Sequence, residues 1–326
     1  MKNKIATYNE LNHSNAQQII TSLRNERYSL LDSIGCHKMR REMRSVGLAC
    51  RAILRHAERK AGGMKHSLDP DYPQRLRKAM LKTLTRGAPM NFHGNLSQVD
   101  GGIILGFNHP TLGEIIRIIA LCLDKYPDRD YLFPVNIAWY EALAPIADRM
   151  ERFGLHIVPT ITPPTRAKIA DIVDDYTMEL VDKISREFNT NYISSCSWMS
   201  RKGAVIAVAP SATRQPTVFK TNAMFVGEEE INPPTMTYLA MSLGHNKTAD
   251  YAFQAIAVAP PRKAKRGLNL FKNYDLFSAA TFPKREVIEL CRSKSPLTHE
   301  RCFERAFLMS IVECLNANNR GDLGIP

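Results

Sequence analysis

The sequence predicts an α/β protein: a mixed, largely parallel central sheet flanked by helices, with a helical region in front of it. Three observations predict this. From residue 101 onward, short apolar runs alternate with amphipathic segments of helical period, which is the grammar of strands covered on both faces by helices. Before residue 88 the chain reads as basic helix. At 326 residues, with 44% hydrophobic and 23% charged residues, the chain is large enough and ordinary enough to bury a sizeable core.

In chain order, residues 1–18 are polar and read as frayed or loosely helical. Residues 19–63 read as helix. Met39, Met43, Val46, Cys50, Ile53, Leu54 and Ala57 recur at helical spacing, and Arg40, Arg41, Arg44, Arg51, Arg55, Arg59 and Lys60 fall largely on other faces. Gly62-Gly63 stops the run. Two readings of this stretch are open: a surface helix packed by one face on the main domain, or a basic amphipathic helix that docks on anionic lipid or an acidic carrier. Residues 69–87 read as a second basic helix, with Leu76, Met80 and Leu84 on one side, and 89–100 as loop or edge strand. The expected division is therefore a helical N-terminal region, 1–88, and an α/β domain with a C-terminal helix, 89–326.

Within the second part, strands are expected at 103–107, 131–135, 155–159, 203–209 and 253–259. Helices are expected at 114–125, 138–153, 165–187 and 299–316, the last with Phe303, Phe307, Ile311 and Leu315 as its apolar stripe. Residues 227–250 carry no clear pattern.

The net charge of +12 points to an acidic partner: a phosphorylated substrate, an acidic carrier protein or an anionic membrane face. Nucleic acid is set aside, because no aromatic cluster interleaves the basic residues and no recognition motif is present. The seven cysteines are scattered without a CxxC pair, so neither a zinc ribbon nor a disulfide framework is expected, and reduced thiols fit a cytoplasmic setting. The first 15 residues lack the apolar core of a secretory signal, and no run of ~18 apolar residues could span a bilayer. The expected location is the cytoplasm, with peripheral contact at the inner face of a membrane as a variant.

Chemistry concentrates at Asn108-His109-Pro110-Thr111-Leu112-Gly113-Glu114, directly after the strand 103–107. Pro110 biases His109 toward extended backbone, which places the histidine at the strand's carboxyl end, where open α/β sheets carry their sites. On one continuous helix a five-residue spacing would set His109 and Glu114 roughly 140° apart. The pair therefore requires a turn between them, with Glu114 in the first helical turn leaning back toward His109. Thr111 and Glu114 also fit a capping box, so Glu114 has a structural reading beside its chemical one. A second cluster, Val208-Ala-Pro-Ser-Ala-Thr-Arg214, follows the strand 203–209 and offers a guanidinium fork with the Ser211 and Thr213 hydroxyls beside it. Taken singly, it also reads as a solvated loop. Ser194-Ser-Cys-Ser197 reads as a polar loop with no activating partner for Cys196.

Four blocks in this order resemble the glycerolipid acyltransferase family. Residues 108–114 look like its N-H-x-x-x-x-D block, with Glu for Asp. Residues 209–214 look like its P-E-G-T-R block and are closer to the A-P-S-G-G-R version of the soluble plastid-type glycerol-3-phosphate acyltransferases. Residues 154–160 and 255–261 match the remaining two strand–proline blocks more loosely. The arginine usual in the second block is not in register; Arg149, Arg152 and Arg166 are nearby. The likeness spans roughly residues 101–262. It implies transfer of an acyl group from acyl-CoA or acyl carrier protein to a hydroxyl of a glycerol-phosphate-type acceptor, without metal or cofactor. His109 would be the general base and Glu114 its orienting partner. Arg214, Ser211, Thr213 and Asn108 would contact substrate. The alternative is a catalytically degenerate acyltransferase fold that acts as a lipid- or membrane-binding module.

Overall fold

The computed structural model describes residues 21, 37–63, 69–161, 163–171, 175–210, 218, 235–244, 250–263, 269–293 and 302–324. In chain order the elements are α1 (His37–Lys60), α2 (Tyr72–Gly87), β1 (Met90–His93), β2 (Gly102–Phe107), α3 (Gly113–Lys125), β3 (Tyr131–Asn136) and α4 (Ile137–Glu151). They continue as β4 (Leu155–Thr160), α5 (Pro163–Ala170), α6 (Asp175–Ser200), β5 (Val205–Val208), α7 (Thr235–Gly244), β6 (Tyr251–Ala259), β7 (Tyr274–Pro283), α8 (Lys284–Arg292) and α9 (Cys302–Ala317). The protein is α/β, with a seven-stranded, mostly parallel sheet in which β6 and β7 form the antiparallel pair.

The chain divides into two compact units, Met1–Pro73 with Leu132–Cys196 and Gln74–Tyr131 with Ser197–Pro326. Residue 88, the expected end of the helical N-terminal region, lies inside the second.

In the second unit the strands run in the order β1-β7-β6-β2-β5. β2 and β6 are buried along their whole length, as their unbroken apolar runs require. β2 is parallel to both neighbours, with Gly106 opposite Val208 of β5 and Phe107 opposite Ile256 of β6. The three strands therefore deliver their carboxyl ends to one edge. Gly106 is where the helical layer comes closest. A Cβ there would sit 2.5 Å from the Phe307 ring of α9 and 2.7 Å from the Met236 methyl of α7. The predicted stripe on α9 is the core face. Phe303, Phe307, Ile311 and Leu315 are fully buried, and Phe303 stands edge-on to Phe253 (5.0 Å) and Phe282 (5.7 Å).

In the first unit, α1 buries Met43, Leu54 and Ala57. A half-buried ion pair joins α1 to α4: Glu58 accepts from Nε of Arg149 at 2.9 Å and from its Nη2. α6 buries Phe188, Tyr192 and Cys196 at helical spacing.

Several expectations change. The single helix expected at 165–187 is two described helices, and the second continues to Ser200. Ser194-Ser-Cys-Ser197 is thus helix, not loop. Serine and asparagine are weak helix formers, but the buried stripe on α6 overrides propensity. Residues 89–100 contain the edge strand β1, paired parallel to β7. β7 and α8 have no counterpart in the sequence reading, and α7 lies within the stretch that had no clear pattern. The expected helix before His37 lies outside the described residues. Among the described residues, no helix is long and apolar enough to cross a membrane.

Candidate active site

β2 ends at Phe107, and residues 108–112 are a non-helical turn before α3 opens at Gly113. His109 precedes the helix and Glu114 sits in its first turn, the one arrangement that lets a five-residue spacing close. His109 Nδ1 meets Glu114 Oε1. The Glu114 side chain is fully buried, whereas that of His109 keeps 12% exposure.

The carboxylate is enclosed by donors. Thr111 gives it both its backbone N–H, at 3.1 Å to Oε1, and its hydroxyl, to Oε2. Burial pushes the carboxyl's pKa up. The charge of His109 and hydrogen bonds from His109 and Thr111 outweigh it, holding Glu114 below the usual carboxylate range. An ionised Glu114 only accepts, so the proton between the pair lies on Nδ1, and Nε2 of a neutral His109 carries the lone pair.

The Thr111 hydroxyl extends the network. The proton of Thr111 goes to Glu114, so its oxygen accepts from the N–H of Gly113 at 3.1 Å and from the hydroxyl of Tyr274 at 2.8 Å. The expected capping box is therefore half formed. Glu114 reaches back to Thr111, while Thr111 takes the N–H of Gly113 in place of that of Glu114, and the N-cap position is Leu112.

Behind Tyr274 stands Arg117, the largest fully buried side chain among the described residues. Its guanidinium lies 3.9 Å from the centroid of the Tyr274 ring and donates to the carbonyls of Gly113 (2.8 Å), Asn269 (3.1 Å), Leu270 and Lys272 (both 2.7 Å). Burial lowers its pKa to about 10, against the opposing effects of Tyr274 and Glu114, so it stays a cation at neutral pH. In the sequence Arg117 is one charge in an apolar run. Three of its acceptors come from the β6–β7 connection some 150 positions away, which no sequence spacing reveals. That it occupies an otherwise apolar helix face was the available signal.

Asn108 faces the sheet. Its Nδ2 donates to Val258 O at 2.9 Å and its Oδ1 accepts from Val258 N at 2.6 Å. The amide thus acts as one more ladder residue beyond the β2–β6 register, with both functions taken up by the fold. Ser211, Thr213 and Arg214 lie outside the described residues. β5 is parallel to β2 and in register with it, so the chain leaves Val208 at the His109 edge. Of the arginines near the second block, Arg149 is held by Glu58 and Arg166 by Asp182 (2.5 and 2.7 Å), while Arg152 is exposed. Among the described residues, no group of three His, Cys, Asp or Glu side chains is placed to hold a metal ion. The Cys196 thiol is pushed up to about 12 by burial, which suits a core residue and not a nucleophile.

No protein-family model matches the chain, and no curated protein matches its sequence significantly.

Proposed function

We propose that this protein transfers an acyl group from a thioester, acyl-CoA or acyl carrier protein, to a hydroxyl of a glycerol-phosphate-type acceptor. The observation that carries the reading is the His109–Glu114 pair, with a buried ionised carboxylate on Nδ1, at the carboxyl edge of a parallel strand. Nε2 of His109 takes the proton of the acceptor hydroxyl as its oxygen bonds to the thioester carbonyl. Glu114 holds the tautomer and stabilises the imidazolium. The positive end of α3 lies beside the oxyanion that develops. When the tetrahedral intermediate collapses, the carbon–sulfur bond breaks and the imidazolium returns the proton to the departing thiolate. Arg214, with Ser211 and Thr213, is the proposed holder of the acceptor phosphate.

The test is free-thiol release from acyl-CoA and from acyl carrier protein, offered with glycerol 3-phosphate, a lysophosphatidate or an unphosphorylated alcohol. The expected result is acceptor-dependent release with one of these pairs, lowered by His109→Ala at least ~100-fold. Acceptor-independent release, or full activity in His109→Ala, overturns the reading.

A further inference from the structure

We propose that the turn Asn269–Lys272, in the β6–β7 connection, is a docking tip that seats this protein on an anionic lipid surface. The tip is a tight turn. The N–H of Lys272 donates to Asn269 O at 3.2 Å, and Asn269 takes the left-handed backbone conformation (φ 42°). Leu270 and Phe271 fall at the turn's two central positions, and Phe271 is 85% exposed.

A single exposed apolar residue is ordinary on a protein surface. This one is presented differently. The turn's carbonyls at 269, 270 and 272 are clamped by the fully buried guanidinium of Arg117, and Lys272 Nζ ties the turn to Lys263 O at 3.1 Å. Committing a buried cation to hold a surface turn makes the tip rigid, so little ordering is left for docking.

Charge supplies the second signal. Among the described residues of this connection, Arg262, Lys263 and Lys272 are exposed and none is a carboxylate. An aromatic tip with flanking cations matches an anionic bilayer: the ring enters the acyl boundary while the ammonium and guanidinium groups meet lipid phosphates. Because β6 is parallel to β2, this connection leaves the sheet at the edge that carries His109, and Tyr274 just beyond it bonds Thr111. Binding is read without turnover, so this proposal and the acyl-transfer reading stand or fall separately.

The test uses the full chain with vesicles of equal parts phosphatidylcholine and phosphatidylglycerol, against phosphatidylcholine alone. Co-sedimentation is expected with the anionic vesicles, weakening with salt and with Phe271→Ser by roughly tenfold. Phe271→Trp is expected to shift its emission to the blue on adding anionic vesicles, beyond any change in the unsubstituted protein. Unaltered melting of both variants establishes that the fold is intact. Anionic-vesicle binding that Phe271→Ser leaves unchanged would assign docking to another surface, such as α1, and overturn the proposal. An unshifted Phe271→Trp emission would do the same, as would binding by this turn to an acidic carrier protein but not to vesicles.

Discussion

Asn108 and Val258 exchange two hydrogen bonds, side-chain amide to backbone peptide, at 2.9 and 2.6 Å. The residue that precedes the candidate base is therefore the last rung of the β2–β6 ladder. It sets the point at which the chain leaves the sheet, and hence where His109 stands.

This relationship separates a structural from a substrate-binding role for Asn108. Asn108→Ala leaves the peptide of Val258 unpaired in a buried site, a loss of about 1–3 kcal/mol. Urea denaturation is expected to show that loss. A KM increase with unchanged stability would instead place the amide on the substrate.

Glu114 predicts an acid-sensitive fold. Its folded pKa is depressed, so the unfolded chain binds its proton first on acidification. The stability from its ionisation is fully present above the ordinary carboxylate pKa of ~4.3 and is lost as pH falls below that value through the folded pKa. Denaturation at a series of pH values is expected to give a steeper acid limb for the unsubstituted protein than for Glu114→Gln. Parallel limbs would mean that the carboxyl is not ionised when folded.

Arg117 predicts a stability defect that reaches the site. Arg117→Met keeps much of the side-chain volume but strips partners from the carbonyls of Gly113, Asn269, Leu270 and Lys272. A loss of at least about 1–3 kcal/mol is expected, with faster hydrogen exchange over 269–274. Arg117→Lys should rescue little, since one ammonium cannot reproduce a planar fork shared among five carbonyls, Pro89 O at 3.4 Å among them. Rescue to full stability by lysine would show that charge alone matters.

Arg149, near the second block, and Arg214, in the block at 209–214, divide by the same logic. Arg149→Ala unpairs a buried Glu58 and is expected to lower the melting temperature. Arg214→Ala is expected to leave melting unchanged and raise KM for a phosphorylated acceptor, with kcat less affected. Steady-state kinetics beside thermal melts would distinguish them. A melting defect in Arg214→Ala would make it a structural residue.

The sequence by itself determined the α/β class, the core stripe of α9 and the requirement for a turn between His109 and Glu114. Each of these follows from local periodicity or backbone reach, which a linear chain displays. It did not show β7, whose burial alternates irregularly along its length and whose place comes from pairing with β6 and β1. It also misread residues 194–197, because weak helix formers there are carried by a buried stripe that extends from Phe188. Only the tertiary structure decided that Asn108 serves the sheet, and that Tyr274, backed by Arg117, joins the Thr111–Glu114 pair. The pairs that tie this network across the fold, Asn108 with Val258, Thr111 with Tyr274 and Arg117 with Lys272, are each 150 or more positions apart along the chain. Their energetics arise from desolvation and hydrogen-bond satisfaction in a shared interior, which no spacing in the sequence encodes.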